Sequence, residues 1–410
     1  MERYGNIKGG KVIGVGSYGC VFSPPLPCKA GQKQPSQDMV SKLMESDDAE
    51  KEMSEIDRVT ERLGQIPNAG RYFGGFDTYI CQADSITPDD VRGFNCHVGD
   101  VTKLINDTRS PLELPELSIL QQKDLGKTVH DYLTTVDSQE NLKSFLQNMV
   151  NLLNNGIIPM NNLGIYHLDI KSDNVLVNDN LPVLIDWGLS YMTDDSKPIV
   201  NAFTRGKLFN PEVTNVPMTA FCMFNEPLVA RAFYKTADNV GGMLDFHGLS
   251  SASTVRSIIH KLYTSPTESE SQHLRYLLGG IINPVIEVMK QNYESQEKQY
   301  PFTGSEMLLS HYLSVQRDLY FKNGVVNHNQ LYQDFFYNVD IWGWVMTFVP
   351  LLKSNISGSN GSLSKFLPDS KRRSIRLMCA KMVEYLFVCQ TGKLDVSVIM
   401  AFTENVIEIL

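Results

Sequence analysis

No stretch of this chain approaches the ~18 consecutive apolar residues that a bilayer-spanning helix requires, and its start, Met1-Glu2-Arg3-Tyr4, lacks the apolar core of a secretory leader. The expectation is a soluble protein with no membrane partner. A basic excess is missing as well: 37 Lys and Arg stand against 46 Asp and Glu, a net charge of −9. Nucleic acids and acidic membranes select basic patches, so neither is an expected partner. Cysteine is sparse and odd in number, seven in 410 residues. Cys20 and Cys28 have no partner pair at zinc spacing, and Cys81 and Cys96 stand alone, which argues against a cysteine metal cluster and points to a reducing compartment, the cytoplasm. In that setting Asn355-Ile356-Ser357 carries no glycan. No internal repeat is evident, and 42% hydrophobic with 20% charged residues is ordinary for a globular chain.

What is present begins with His167-Leu168-Asp169-Ile170-Lys171-Ser172-Asp173-Asn174, followed by Asp186-Trp187-Gly188. Between them, Val175-Leu176-Val177 and Val183-Leu184-Ile185 are short β-branched runs around the turn-rich spacer Asn178 to Pro182, which predicts a hairpin carrying Asn174 and Asp186. In-line phosphoryl transfer needs mainly positioning groups and positive charge. Asp169 would take the proton of an attacking hydroxyl, and Lys171 would neutralise the transferred group. Asn174 and Asp186 offer the hard oxygen ligands that Mg²⁺ prefers.

The N-terminus supplies complementary parts. Gly14-Val15-Gly16-Ser17-Tyr18-Gly19-Cys20-Val21 fits G-x-G-x-x-G-x-V. A dinucleotide-binding fold would need a helix straight after the last glycine, but Pro24, Pro25 and Pro27 follow, so strand, glycine turn and strand form a lid over phosphates. In Met39-Val40-Ser41-Lys42-Leu43-Met44, Lys42 sits mid-strand as the phosphate-binding lysine, to be oriented by a helix carboxylate. Met53, Ile56, Val59 and Leu63 space an amphipathic helix over 47–63. Glu55 best fits the helix left before Pro67-Asn68, with Glu52 the alternative.

In this order the motifs GVGSYGCV, the lysine of MVSKLM, HLDIKSDN and DWG resemble the eukaryotic-type protein kinase superfamily. Asp340-Ile341-Trp342-Gly343-Trp344-Val345 looks like that family's D-x-W-x-x-G helix start, with Val345 in place of the glycine. The resemblance implies an α+β, bilobal protein-kinase-like fold: a small antiparallel β-rich N-lobe with one main helix, and a larger, mainly helical C-lobe with insertions. It implies an ATP- and Mg²⁺-dependent kinase, with Gly14, Val15, Gly16, Ser17, Tyr18, Gly19 and Val21 over the nucleotide and Asp340 holding the catalytic-loop backbone. Lys171 matches the serine/threonine pattern D-x-K-x-x-N, so protein hydroxyls of serine or threonine are the expected acceptors. A narrower likeness, in GCVFSPPLPCK, Asp124-Leu125 and Phe224-Asn225-Glu226-Pro227, is to divergent kinases of large nucleocytoplasmic DNA viruses. That likeness implies a viral protein acting in host cytoplasm or packaged in the particle. The competing readings are a small-molecule kinase on the same fold and a pseudokinase scaffold.

The departures are specific. Leu168 replaces the usual arginine before the catalytic aspartate, Trp187 replaces phenylalanine, and no A-P-E string follows. Along the chain, residues 1–124 are expected to form the N-lobe, with an insertion at about 82–116, a last strand Leu117-Ser118-Ile119-Leu120 and a hinge at 121–124 facing adenine. Residues 125–410 form the C-lobe. Leu142, Phe145, Met149, Leu152 and Leu153 mark a core helix, and 228–334 holds helices over 281–293 and 308–321. Ser354 to Ser364 is a loop, and closing helices cover 370–387 and 394–409.

Overall fold

Alternation of apolar and polar residues builds the first part of the chain into strands: β1 Lys11–Val15, β2 Cys20–Ser23, β3 Met39–Glu45, β4 Tyr79–Gln82 and β5 Leu117–Lys123. They form one antiparallel sheet in the order β1-β2-β3-β5-β4. The structure, a computed structural model, describes residues 10–15, 19–84, 117–193, 276–322 and 325–410. Gly16, Ser17 and Tyr18 of the expected lid, most of the expected 82–116 insertion, the Phe224 to Pro227 string and the 228–275 part of the expected later insertion lie outside the described residues. The chain divides into two compact units, Met1–Gly126 with Ile185–Gly188, and Lys127–Leu184 with Leu189–Leu410. The first is an antiparallel sheet with one long helix, and the second is mostly helical.

In the first unit one sheet face buries Val12, Cys20, Phe22, Leu43, Cys81 and Ile119 together with Leu26 and Cys28. On the other face Met44, Leu120 and Ile80 meet Ala49 and Met53 of α1, Ser46–Leu63. Two features depart from the sequence reading. Strand β5 runs on to Lys123 instead of stopping at Leu120, because β3 continues to supply partners, Ser41 for Gln121, Val40 for Gln122 and Met39 for Lys123. The expected hinge therefore lies mostly in strand. Gln121 is fully buried, accepting from Ser41 Oγ at 2.8 Å and donating to the Leu26 carbonyl at 2.9 Å. The second departure is a disulfide joining Cys28 and Cys81, which corrects the reading of Cys81 as a residue standing alone and runs against the reading of the cysteines as a sign of a reducing compartment. The segment after β2 lies along β4, with Cys28 bridged to Ala83 and Lys29 N donating to the Gln82 carbonyl at 2.8 Å. The pair is 53 residues apart, and spacing carries no trace of it.

In the second unit the core helix is Gln139–Leu152, its stripe of Leu142, Phe145, Leu146, Met149 and Leu152 fully buried. Ser138 caps it by accepting from Asn141 N. Trp344, on the helix His328–Met346, donates its indole N–H to the Met149 carbonyl at 2.9 Å. Trp342 of the same helix packs edge-on against Phe387 of Asp369–Val388. Helices expected at 281–293, 308–321, 370–387 and 394–409 occur as Asn283–Glu294, Ser305–Tyr320, Asp369–Val388 and Val396–Ile409. The segment expected as a loop at Ser354 to Ser364 instead holds two short helical turns, Ser354–Ser357 and Ser362–Lys365. Burial of Ile356 and Leu363 organises it. Gly358 and Gly361 let it fold so tightly that a Cβ on either would lie 2.3 Å from a backbone oxygen.

Candidate functional site

The first unit holds a lysine-carboxylate pair built by strand and helix periodicity. On β3, Ser41 and Leu43 face the buried core, so Lys42 points to the opposite face, beside Val21 on β2 and Leu120 on β5. There its ammonium donates to both oxygens of Glu52, each at 2.7 Å, and the two side chains are only 18% and 16% exposed. The expectation of Glu55 is corrected: Glu52 is the partner. Glu52 lies three residues after Ala49 and four before Ile56, both buried, so it sits in the middle of the helix face turned to the sheet. Glu55, about 60° further round at 100° per residue, does not. Burial raises the Glu52 carboxyl above the usual glutamate value, against the pull of Lys42, and Asp186 and Asp48 add to the rise.

The glycine hairpin is formed by β1 and β2, paired antiparallel with a register shift between Val12 and Gly14. Gly19 is required by space: a Cβ there would lie 2.5 Å from the Leu43 carbonyl oxygen and 2.9 Å from Met44 Cγ. Val15 is 43% exposed and Val21 half-buried. Ile185–Gly188 also belongs to this unit, which brings Asp186 into the electrostatic range of Glu52. Trp187 is buried, and its indole N–H donates to the Gly74 carbonyl at 3.0 Å.

The second unit holds the other set. The predicted hairpin forms as β8, Val175–Asn178, and β9, Leu181–Leu184. Its turn is shorter than the expected spacer: only Asp179 and Asn180 lie outside the strands, both with positive φ, as tight hairpin turns demand. Pro182 is tolerated because β9 is the sheet edge in the order β6-β8-β9, β6 being Lys127–Thr128. Ahead of β8, the loop 167–174 wraps onto Asp340. This fully buried carboxylate accepts from the backbone N–H of His167 at 2.9 Å and of Leu168 at 3.0 Å, and from Asn161 Nδ2 at 2.7 Å. Burial nevertheless lifts its carboxyl above the usual aspartate value, these hydrogen bonds and His167 opposing the rise. Leu168 turns the chain with φ +64° and is buried.

Asp169 follows, 5% exposed. Lys171 Nζ donates to its Oδ2 at 2.7 Å, and Asn174 Nδ2 donates to both its backbone carbonyl and Oδ2 at 2.9 Å. The Asn174 amide spends its donors on Asp169, which leaves its oxygen as the group able to meet a cation. Three of the sequence-predicted residues thus converge in this unit, and Lys42 and Asp186 lie in the other.

Sequence reasoning missed four participants. Asn161 braces Asp340, and an asparagine ahead of the loop carries no distinguishing pattern. Gly74 and Gly75 meet Trp187, for which the Gly-Gly pair was the available signal. Gly343 lets its helix approach the loop 167–174: a Cβ there would lie 2.7 Å from both Cβ and the carbonyl oxygen of Ile170. In the D-x-W string the close contact thus falls on Gly343, while Val345 is buried. No protein-family model matches this chain, and no curated protein sequence is significantly similar to it.

Proposed function

We propose that the chain is a serine/threonine protein kinase of the bilobal kind, transferring the γ-phosphate of ATP to protein hydroxyls with Mg²⁺. The observation that carries this reading is the Lys42–Glu52 pair: a lysine on the strand after a glycine hairpin, clasped by both oxygens of a helix carboxylate. The arrangement fixes the direction of the amine with two hydrogen bonds, which is what holding phosphate oxygens requires. The donor set fits Mg²⁺-nucleotide: one carboxylate, Asp186, and one amide, Asn174, are too few to cage an ion alone, and Mg²⁺ keeps waters and phosphate oxygens as its remaining ligands.

When bound, Mg·ATP supplies the electrophilic phosphoryl group. In this reading Asp169 accepts the proton of the acceptor hydroxyl on its carboxylate. Lys171, already on Asp169 Oδ2, neutralises negative charge beside it, and Lys42 holds phosphate oxygens with Glu52 fixing its direction. Asn174 and Asp186 would hold the metal. The likeness to kinases of large DNA viruses supports host cytoplasm or the particle as the place of action.

The test is phosphate transfer from γ-labelled ATP with Mg²⁺ to a basic protein, to casein and to the chain itself. Label on serine or threonine is expected, falling by at least about 100-fold in Asp186→Ala. Absence of label, with ATP still raising Tm only when Mg²⁺ is present, would replace this reading with a nucleotide-binding scaffold.

A further inference from the structure

Asp186 has φ +70°, the left-handed region that L residues other than glycine enter only at a cost. Such strain persists only where the surroundings over-determine it, and here they act through the next residue. The Trp187 ring lies 5.8 Å from that of Phe73, tilted at 58°. Its N–H is bound by the Gly74 carbonyl, 3.0 Å away. Gly75 completes the clamp with φ +106°: a Cβ there would lie 3.2 Å from the methyls of Ile56 and Thr60 on α1 and 3.5 Å from the indole nitrogen. The loop 73–75 is therefore pressed between the indole and the helix that carries Glu52.

We propose that Trp187 is a positioning residue, an indole latch that holds the Asp186 backbone in its left-handed conformation by tying residues 185–188 to the loop 73–75. The inference rests on the kinase reading for its consequence, since Asp186 is there a metal ligand. Phenylalanine would supply the ring but not the N–H. The buried hydrogen bond is the added element, and without it the Gly74 carbonyl loses its partner. The latch makes the carboxylate and the Lys42–Glu52 pair one assembled body, in place before any metal or nucleotide arrives.

The experiment compares the full chain with Trp187→Phe, and with Gly75→Ala should the first variant fail to fold. Hydrogen exchange at the backbone amides of 185–188 is read without nucleotide. Transfer from ATP to a basic protein is read across a Mg²⁺ titration. In the variant, exchange at 185–188 is expected to rise about tenfold while helix Asp369–Val388 stays unchanged, and half-saturating Mg²⁺ to rise about five- to tenfold, the loss of one buried hydrogen bond. The rate at saturating Mg²⁺ should fall by less than about twofold. Unchanged exchange at 185–188 overturns the latch whether or not the chain is a kinase. Faster exchange with an unchanged Mg²⁺ requirement shows a packing role only and overturns the positioning role. A wild-type chain with neither transfer nor Mg²⁺-dependent nucleotide binding overturns the kinase reading, and the exchange result then decides the latch by itself.

Discussion

Glu52 is the residue at which stability and function pull apart. Its carboxyl is raised by burial, so the folded chain holds this proton to higher pH than the unfolded chain does. The folded state binds more protons between the two values, and the contribution of Glu52 to stability falls as pH rises through that window. Above that window the ionised form is the costly one. Glu52→Gln is accordingly expected to melt no lower than wild type at pH 7 to 8 while losing at least about tenfold in phosphate transfer, whereas Glu55→Gln changes neither by more than about twofold. Melts from pH 5 to 8 beside initial rates check both. Leu168 leads to a second expectation. Buried and uncharged where a cation would meet a phosphorylated loop, it predicts activity that survives phosphatase treatment; a loss of transfer after dephosphorylation would refute it.

At the scale of elements, the helix His328–Met346 and the loop 167–174 are joined by one carboxylate and one missing side chain. Removing the three hydrogen bonds of Asp340 by Asp340→Ala should cost about 3 to 5 kcal/mol, since buried N–H groups are left without an acceptor. Gly343→Ala should cost about 2 kcal/mol or more by forcing a methyl group into Ile170; denaturant melts measure both. These elements also show what the sequence could convey. The hairpin, the helix Gln139–Leu152 and Asp169, Lys171 and Asn174 were legible because their information is local: strand alternation, a helical stripe, three chemistries within six positions. Lys42 was legible from its place after the glycines, but its partner was narrowed only to Glu55 with Glu52 as the alternative, because residue spacing fixes a helix face only once the buried stripe is known, and Ala49 was not counted in it. Gly343 and Asn161 act through contacts more than 170 and 175 residues away along the chain, which local pattern cannot express.

Across the whole molecule, the Cys28–Cys81 link is the property least visible in the composition. Closing a loop of 53 residues restricts the unfolded chain by up to about 4 kcal/mol on the chain-entropy account. Reductant, or Cys28→Ser with Cys81→Ser, is expected to lower the Tm of the sheet unit, read by a calorimetric scan with and without reductant. A Tm indifferent to reductant would mean that the link contributes nothing to stability.

The pairing of β4 with β5 has an architectural consequence. Gln82 and Ser118 stand opposite each other in the ladder, so the chain leaves and re-enters the sheet at neighbouring points, about one strand spacing apart. The two ends of the connection are thus already as close as the ends of a tight turn, and closing them over a few residues instead of about thirty would lower the closure cost by about 2 kcal/mol. The register of β4 on β5, set by Tyr79 to Gln82 against Ser118 to Gln121, is therefore held by the ladder itself and not by the length of the chain that joins the two strands.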